Sequence, residues 1–170
     1  KILWLKENEP ELFGRMAHWL NVGDYIAYRL SGVPAADYSL ASRTLALDLQ
    51  RLQWAENLLL EMGVSPDIFA PLTQSGTVLG PVTKAAAEET GLPPTVKVTV
   101  GGHDHICGAL AVGVTEPGVL LNSMGTAEAL LLPVEKPVMD PQIGQQGYAQ
   151  SAHVVAGRYC LVGGLYTSGV

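Results

Sequence analysis

Between Val96 and Gly113 the chain reads VKVTVGGHDHICGALAVG, and one carboxylate, Asp104, stands between two imidazoles, His103 and His105. Three kinds of chemistry use such a trio. A carboxylate with an ordinary pKa of about 3.9 is ionised at neutral pH and can accept a proton, the work of a general base. Two histidines one residue apart can ligate a metal, and on a strand their rings would share a face. Zinc sites take three or four protein ligands, and the other histidines, His18 and His153, stand in no metal-ligand spacing, so metal is the weaker reading. An aspartate at the start of a helix can also be a cap and nothing more. The residues by themselves leave cap and base both open. A second signal is Ser123-Met124-Gly125-Thr126. Glycine there would let backbone N–H groups approach phosphate oxygens, and the threonine hydroxyl would add a donor. A bare hairpin turn fits the same four residues.

The elements that must position the trio are legible around it. Val96, Val98 and Val100 alternate with Lys97 and Thr99, the period of a strand. Gly101 and Gly102 end that run. Ile106, Ala109, Leu110 and Gly113 then recur at the spacing of one helix face. Asp104 is therefore expected at or near a helix N-terminus, where free N–H groups and the helix dipole stabilise a carboxylate. In open α/β sheets, ligands bind at the carboxyl ends of strands.

Elsewhere the pattern predicts short elements. Helices are expected over Lys1–Asn8, from Pro10, after Asn21 (with Val22, Ile26 and Leu30 on one face and Gly32 as stop) and through Trp54, Leu58 and Met62. Ser65-Pro66 should open another, and Thr83 should cap Lys84–Thr90 up to Gly91. Val33–Thr44 is expected as a loop in which Asp37, Ser39 and Ser42 bond to nearby backbone. Pro71–Pro81 reads as turns and Pro133–Gly147 as a polar loop. Strands are expected over Leu45–Gln50, Val119–Asn122 and Ala129–Leu132. A hairpin around Ala156-Gly157 follows, with Gly163-Gly164 as a candidate further turn.

A length of 170 residues suits one domain, or one and a part. With 48% hydrophobic and 15% charged residues the chain is globular rather than disordered. A net charge of −6 argues against nucleic acid and anionic membranes as partners. Phosphate remains open, because glycine turns and helix N-termini bind it without net positive charge. Cys107 and Cys160 form no CxxC pair, and Cys107 reads as a packing residue. No apolar run reaches the roughly 20 residues that span a bilayer. The expectation is a soluble, cytoplasmic protein.

Three separated stretches resemble the FGGY carbohydrate kinases, sugar and polyol kinases of the xylulokinase, fuculokinase or gluconokinase type. They are Lys1-Ile-Leu-Trp-Leu-Lys-Glu-Asn8, Asp37-Tyr-Ser-Leu-Ala-Ser-Arg-Thr44, and the central Gly-Gly-His-Asp-His followed by Gly125-Thr126. Leu40 stands where many members have Asn, and His105 where glycerol kinases have a substrate-contacting Gln. The resemblance implies an actin-like, ribonuclease H-like α/β ATPase fold of two domains, of which this chain would be the middle portion. Residues 1–113 would be the rear part of the N-terminal, sugar-binding domain. Residues 114–170 would start the C-terminal, ATP-binding domain. The implied reaction is phosphorylation of a sugar or polyol hydroxyl by ATP with Mg2+. Asp104 would be the catalytic base and, with His103 and His105, would contact the substrate; Gly125 and Thr126 would contact the nucleotide. No metal ligand within the chain is implied, and a homodimer is left open. The family's Asp-x-Gly-Thr hairpin does not occur here, so 170 residues alone are expected to show no sugar phosphorylation. Two other classes compete: a metal-dependent hydrolase using His103, Asp104 and His105, and a non-catalytic actin-like sugar-sensing module.

Overall fold

The computed structural model describes residues 1–125 and 127–165. The first third is helical where the sequence supplies starts and stops. Helices α1 (Ile2–Asn8) and α2 (Pro10–Gly14) meet at Pro10, whose fixed φ suits a first helical turn. Helix α3 (Val22–Ser31) ends on Gly32, which takes a φ of 75° in the left-handed region. The apolar face expected on α3 is not a core face, because Val22 and Ile26 are exposed. Ala27 and Leu30 instead pack on Val82, Ala86 and Val98. The residue of α3 that goes inside is Asp24.

Strand β1 (Ala36–Asp37), helix α4 (Tyr38–Ala41) and one helical turn at Ser42–Thr44 occupy the stretch expected as a loop. Asp37 starts α4 by accepting from the N–H groups of Ser39 at 2.8 Å and Leu40 at 3.1 Å. Strands β2 (Leu47–Asp48) and β3 (Gln53–Trp54) form a short antiparallel ladder. Helix α5 (Glu56–Glu61) buries Leu59, while Leu58, expected inward, is exposed. Trp54 belongs to β3, and its ring lies 4.4 Å from that of Phe69. Ser65 caps a single turn at Pro66–Ile68 as expected.

The turn-rich stretch after Pro71 contains β4 (Leu72–Thr73), parallel to β1, and β5 (Val78–Pro81). Helix α6 (Lys84–Thr90) has its Thr83 cap and its Gly91 stop. Strand β6 (Lys97–Thr99) buries Val98 and exposes Lys97 and Thr99, as its alternation requires. It pairs antiparallel with β5 in a two-stranded ribbon. Helix α7 follows at Asp104–Ala111 with Ile106 and Ala109 buried.

Beyond α7 lie β7 (Leu121–Met124), β8 (Glu128–Val134), α8 (Pro141–Gln145), β9 (Ala149–Ala152) and β10 (Tyr159–Leu165). Helix α8 was unexpected within the polar loop; Asp140 caps it and Pro141 fills its first position. The strands form one antiparallel sheet in the order β7-β8-β10-β9. Gly163 and Gly164 lie inside β10 rather than in a turn. A side chain on Gly163 would press on the Tyr148 ring at 3.0 Å, which explains the glycine. Ile106 and Ala109 share a core with Val114, Leu131, Val154 and Cys160, so α7 packs directly on this sheet.

Candidate functional site

The trio follows a close approach of the backbone at Gly102 that favours glycine. A Cβ on Gly102 would run into Val154, Cys107 and Ser39, so the chain passes between the sheet and α4 without a side chain. His103 follows as the N-cap of α7, in extended backbone and with no side-chain cap bond of its own. Its backbone N–H is held from a distance, donating to Ser39 Oγ at 2.8 Å. Asp104 is the first helical residue, its side chain 86% exposed. Its Oδ1 accepts from the His105 N–H at 2.8 Å. Nδ1 of His103 lies 3.1 Å and Nδ1 of His105 3.5 Å from that same oxygen. The 3.1 Å approach lacks hydrogen-bond geometry and is an electrostatic contact only. The two rings stack with centroids 5.9 Å apart.

These contacts fix the charge state. The His105 N–H bond holds the Asp104 carboxyl below the usual carboxylate range; partial burial opposes this, and the flanking imidazoles assist it. Asp104 is thus ionised at neutral pH at a helix N-terminus, where the dipole favours it. Burial pushes His103 down against the pull of Asp104, which leaves its ring neutral at pH 7.

A cavity of about 410 Å³ opens beside the trio, with Arg43, Leu121 and Ser123 on its walls. Arg43 and Ser123 stand within the sequence motifs, but nothing local distinguishes them before the fold brings them to Asp104. A larger cavity of about 660 Å³ between Ile2, Trp19 and Leu45 shares Arg43 but holds none of the trio. Gly125 lies in the β7–β8 turn, just after Ser123, and its N–H donates to Ala127 O at 3.0 Å. Thr126 lies outside the described residues. The expected local role of Asp37 holds, but Ser39 and Ser42 reach further: Ser42 Oγ accepts from the Ala152 N–H at 3.0 Å.

His103, Asp104 and His105 each offer one ligating atom, all within 4.8 Å of one another, and could hold a transition metal. Magnesium is a poorer match, since it prefers oxygens and one or two carboxylates beside substrate phosphates. Among the described residues the cavity wall offers Asp104 as its one carboxylate, so no step is assigned to magnesium here. Cys107, Cys160 and His153 do not line this cavity. Burial pushes the Cys107 thiol up and the Cys160 thiol to about 12, away from nucleophilic use. His153 is buried, depressed by that burial, and accepts from the Val155 N–H at 3.0 Å.

Comparison with known proteins gives a consistent set of likenesses. The family model of the FGGY family of carbohydrate kinases, N-terminal domain, matches residues 1–111. The xylulose kinase of Bacillus subtilis (strain 168) is 40% identical over 131 residues, covering 77% of this chain and 26% of the relative. An autoinducer-2 kinase of Yersinia enterocolitica is 35% identical over 157 residues, covering 92% of this chain and 29% of the relative. The crystal structure of xylulose kinase from Rhodospirillum rubrum superposes with a TM-score of 0.88 at 30% identity, covering 98% of this chain and 33% of that one. The chain thus spans between 26% and 33% of these relatives' lengths. Among the described residues, no helix is long and apolar enough to cross a membrane.

Proposed function

The chain belongs to the FGGY family of carbohydrate kinases, with the actin-like fold of its sugar-kinase relatives, and from that premise we propose that Asp104 is the general base in ATP-dependent phosphorylation of a sugar or polyol hydroxyl. The observation that carries this reading is an ionised, exposed carboxylate at a helix N-terminus beside a cavity walled by Arg43 and Ser123. Asp104 orients the acceptor hydroxyl and takes its proton as that oxygen bonds to the γ-phosphorus of ATP. The bond from phosphorus to the bridging oxygen breaks, and ADP leaves. Positioning and charge stabilisation supply most of the acceleration in this reaction class.

His103 and His105 flank the base and are assigned to substrate hydroxyls. Gly125 and Thr126 are assigned to the nucleotide phosphates, supported by the position of Gly125 immediately after β7, two residues after Ser123 on the cavity wall. The proposed domain boundary falls after Gly113, with residues 1–113 on the sugar side and 114–170 on the nucleotide side, and α7 packs across it on the four-stranded sheet. Magnesium would accompany the nucleotide and neutralise phosphate charge there, and none of the cavity residues is assigned to it. The free cysteines and the use of ATP support a cytoplasmic location, and the net charge of −6 supports small-molecule partners rather than nucleic acid.

The test is an ATP-consumption screen of a kinase of full family length carrying this sequence, against pentoses, ketoses, polyols and aldonates. Sugar-dependent ADP formation is expected, with ketoses first because relatives at this identity include xylulose kinase. ATP consumption with none of these acceptors contradicts the reading, as does a hydrolytic activity that a zinc chelator abolishes.

A further inference from the structure

Asp37 and Ser39 are fully buried, and the phosphoryl transfer as described uses neither directly. Asp37 Oδ1 accepts both the N–H and the hydroxyl of Ser39, while Oδ2 accepts the Ser75 hydroxyl. The Asp37 backbone N–H donates in turn to Asp24 Oδ1 at 3.1 Å. A serine hydroxyl carries a single proton. With that proton committed to Asp37, Ser39 Oγ faces its other neighbour as an acceptor only. That neighbour is the backbone N–H of His103, at 2.8 Å and 64 positions away in sequence. Because His103 has no cap bond of its own, this contact anchors the start of α7. The same segment also meets the sheet: Ser151 Oγ lies 3.3 Å from Ser39 O and 3.0 Å from Ala152 O, and Ser42 Oγ, in the turn after α4, accepts from the Ala152 N–H at 3.0 Å. Strand β7 of that sheet supplies Ser123 to the cavity wall. One buried element therefore meets both the turn that bears Asp104 and the sheet that faces it.

We propose that Asp37 and Ser39 are positioning residues for the phosphoryl transfer: Asp37 orients the Ser39 hydroxyl, and Ser39 Oγ fixes the His103 amide and, through it, the aim of Asp104 into the cavity. The proposal rests on Asp104 being the base. Neither residue touches substrate. Their effect is geometric, and a misplacement of about 1 Å in such a site costs on the order of 100-fold in rate.

A double-mutant cycle tests this, in a kinase of full family length carrying this sequence, at saturating ATP and its best sugar. Ser39→Ala lowers kcat by about 10- to 100-fold while the KM for ATP stays within about twofold. On an Asp104→Ala background, Ser39→Ala causes no further loss, since there is no base left to aim. A kcat for Ser39→Ala within about twofold of the parent overturns the proposal, as does an equal loss on both backgrounds. If Asp104→Ala alone keeps full turnover, the base assignment falls and the positioning role with it. If Asp104→Ala is inactive and Ser39→Ala is unimpaired, only the positioning role falls. Asp37→Asn keeps the side-chain volume but removes one accepting oxygen. It carries the same signature and replaces Ser39→Ala in the cycle should that variant not fold.

Discussion

At the residue scale the chemistry depends on a carboxylate that is both ionised and accessible. A low pKa makes Asp104 a weak proton acceptor toward an alcohol at rest. In a loose phosphoryl-transfer transition state the acceptor oxygen sheds its proton late, so orientation matters more than basicity. A pH expectation follows from the sign of the shift. Asp104 is held below its ordinary 3.8, so its protonation removes activity only under still more acidic conditions. Between about pH 5 and 8, kcat/KM of the full-length enzyme should show no acid limb that belongs to Asp104. An acid limb in that window that is absent from the residual activity of Asp104→Asn would contradict the lowered pKa of this carboxylate. Asp104 was legible in the sequence because a glycine pair and a change of period bracket it. Arg43 was not, because its part in the site exists only once residues far apart in sequence are folded together.

At the element scale the site is a turn squeezed between α4 and the sheet. Gly102 lets that happen, since a Cβ there would strike the buried Val154 side chain. Gly102→Ala should cost about 1–3 kcal/mol of stability, the range for overpacking a filled core, read from denaturant midpoints. Wild-type stability in that variant would contradict this account of the packing at Gly102. Elements with their own local signals were readable: α6 has its Thr83 cap and Gly91 stop, and β6 has its strict alternation. The misreadings have physical causes too. Strands β4 and β5 are too short to show a period among their prolines and glycines. Helix α8 has one cap and five residues. The paired glycines of β10 are explained by Tyr148 and by the neighbouring strand at Glu128, which sequence spacing does not reveal.

At the scale of the whole molecule, α7 and the four-stranded sheet share one core, so the stability of the sheet and the placement of Asp104, the proposed base, are linked. Two histidines report on that link. Burial depresses the pKa of both His103 and His153 from the ordinary 6.5. A depressed pKa means that the unfolded chain binds the proton more readily. Their contribution is therefore present above about pH 6.5 and is lost as pH falls through their lower folded values. The melting temperature should drop between about pH 7 and 5, and His153→Gln should flatten part of that slope. A melting temperature that rises on acidification would contradict it. The sheet order β7-β8-β10-β9 was not legible beforehand, because strand order is decided by long-range packing rather than by any one strand's residues. The fold class was legible only through motifs.

The most direct measurement is steady-state kinetics of Asp104→Asn in a kinase of full family length carrying this sequence. The side chain is 86% exposed, so the substitution should leave the fold intact and report on chemistry alone. A loss of about 10²- to 10⁴-fold in kcat, with the KM for ATP changed by no more than a few-fold, is the expected result. Turnover within a few-fold of the parent would contradict the assignment of Asp104 as the base.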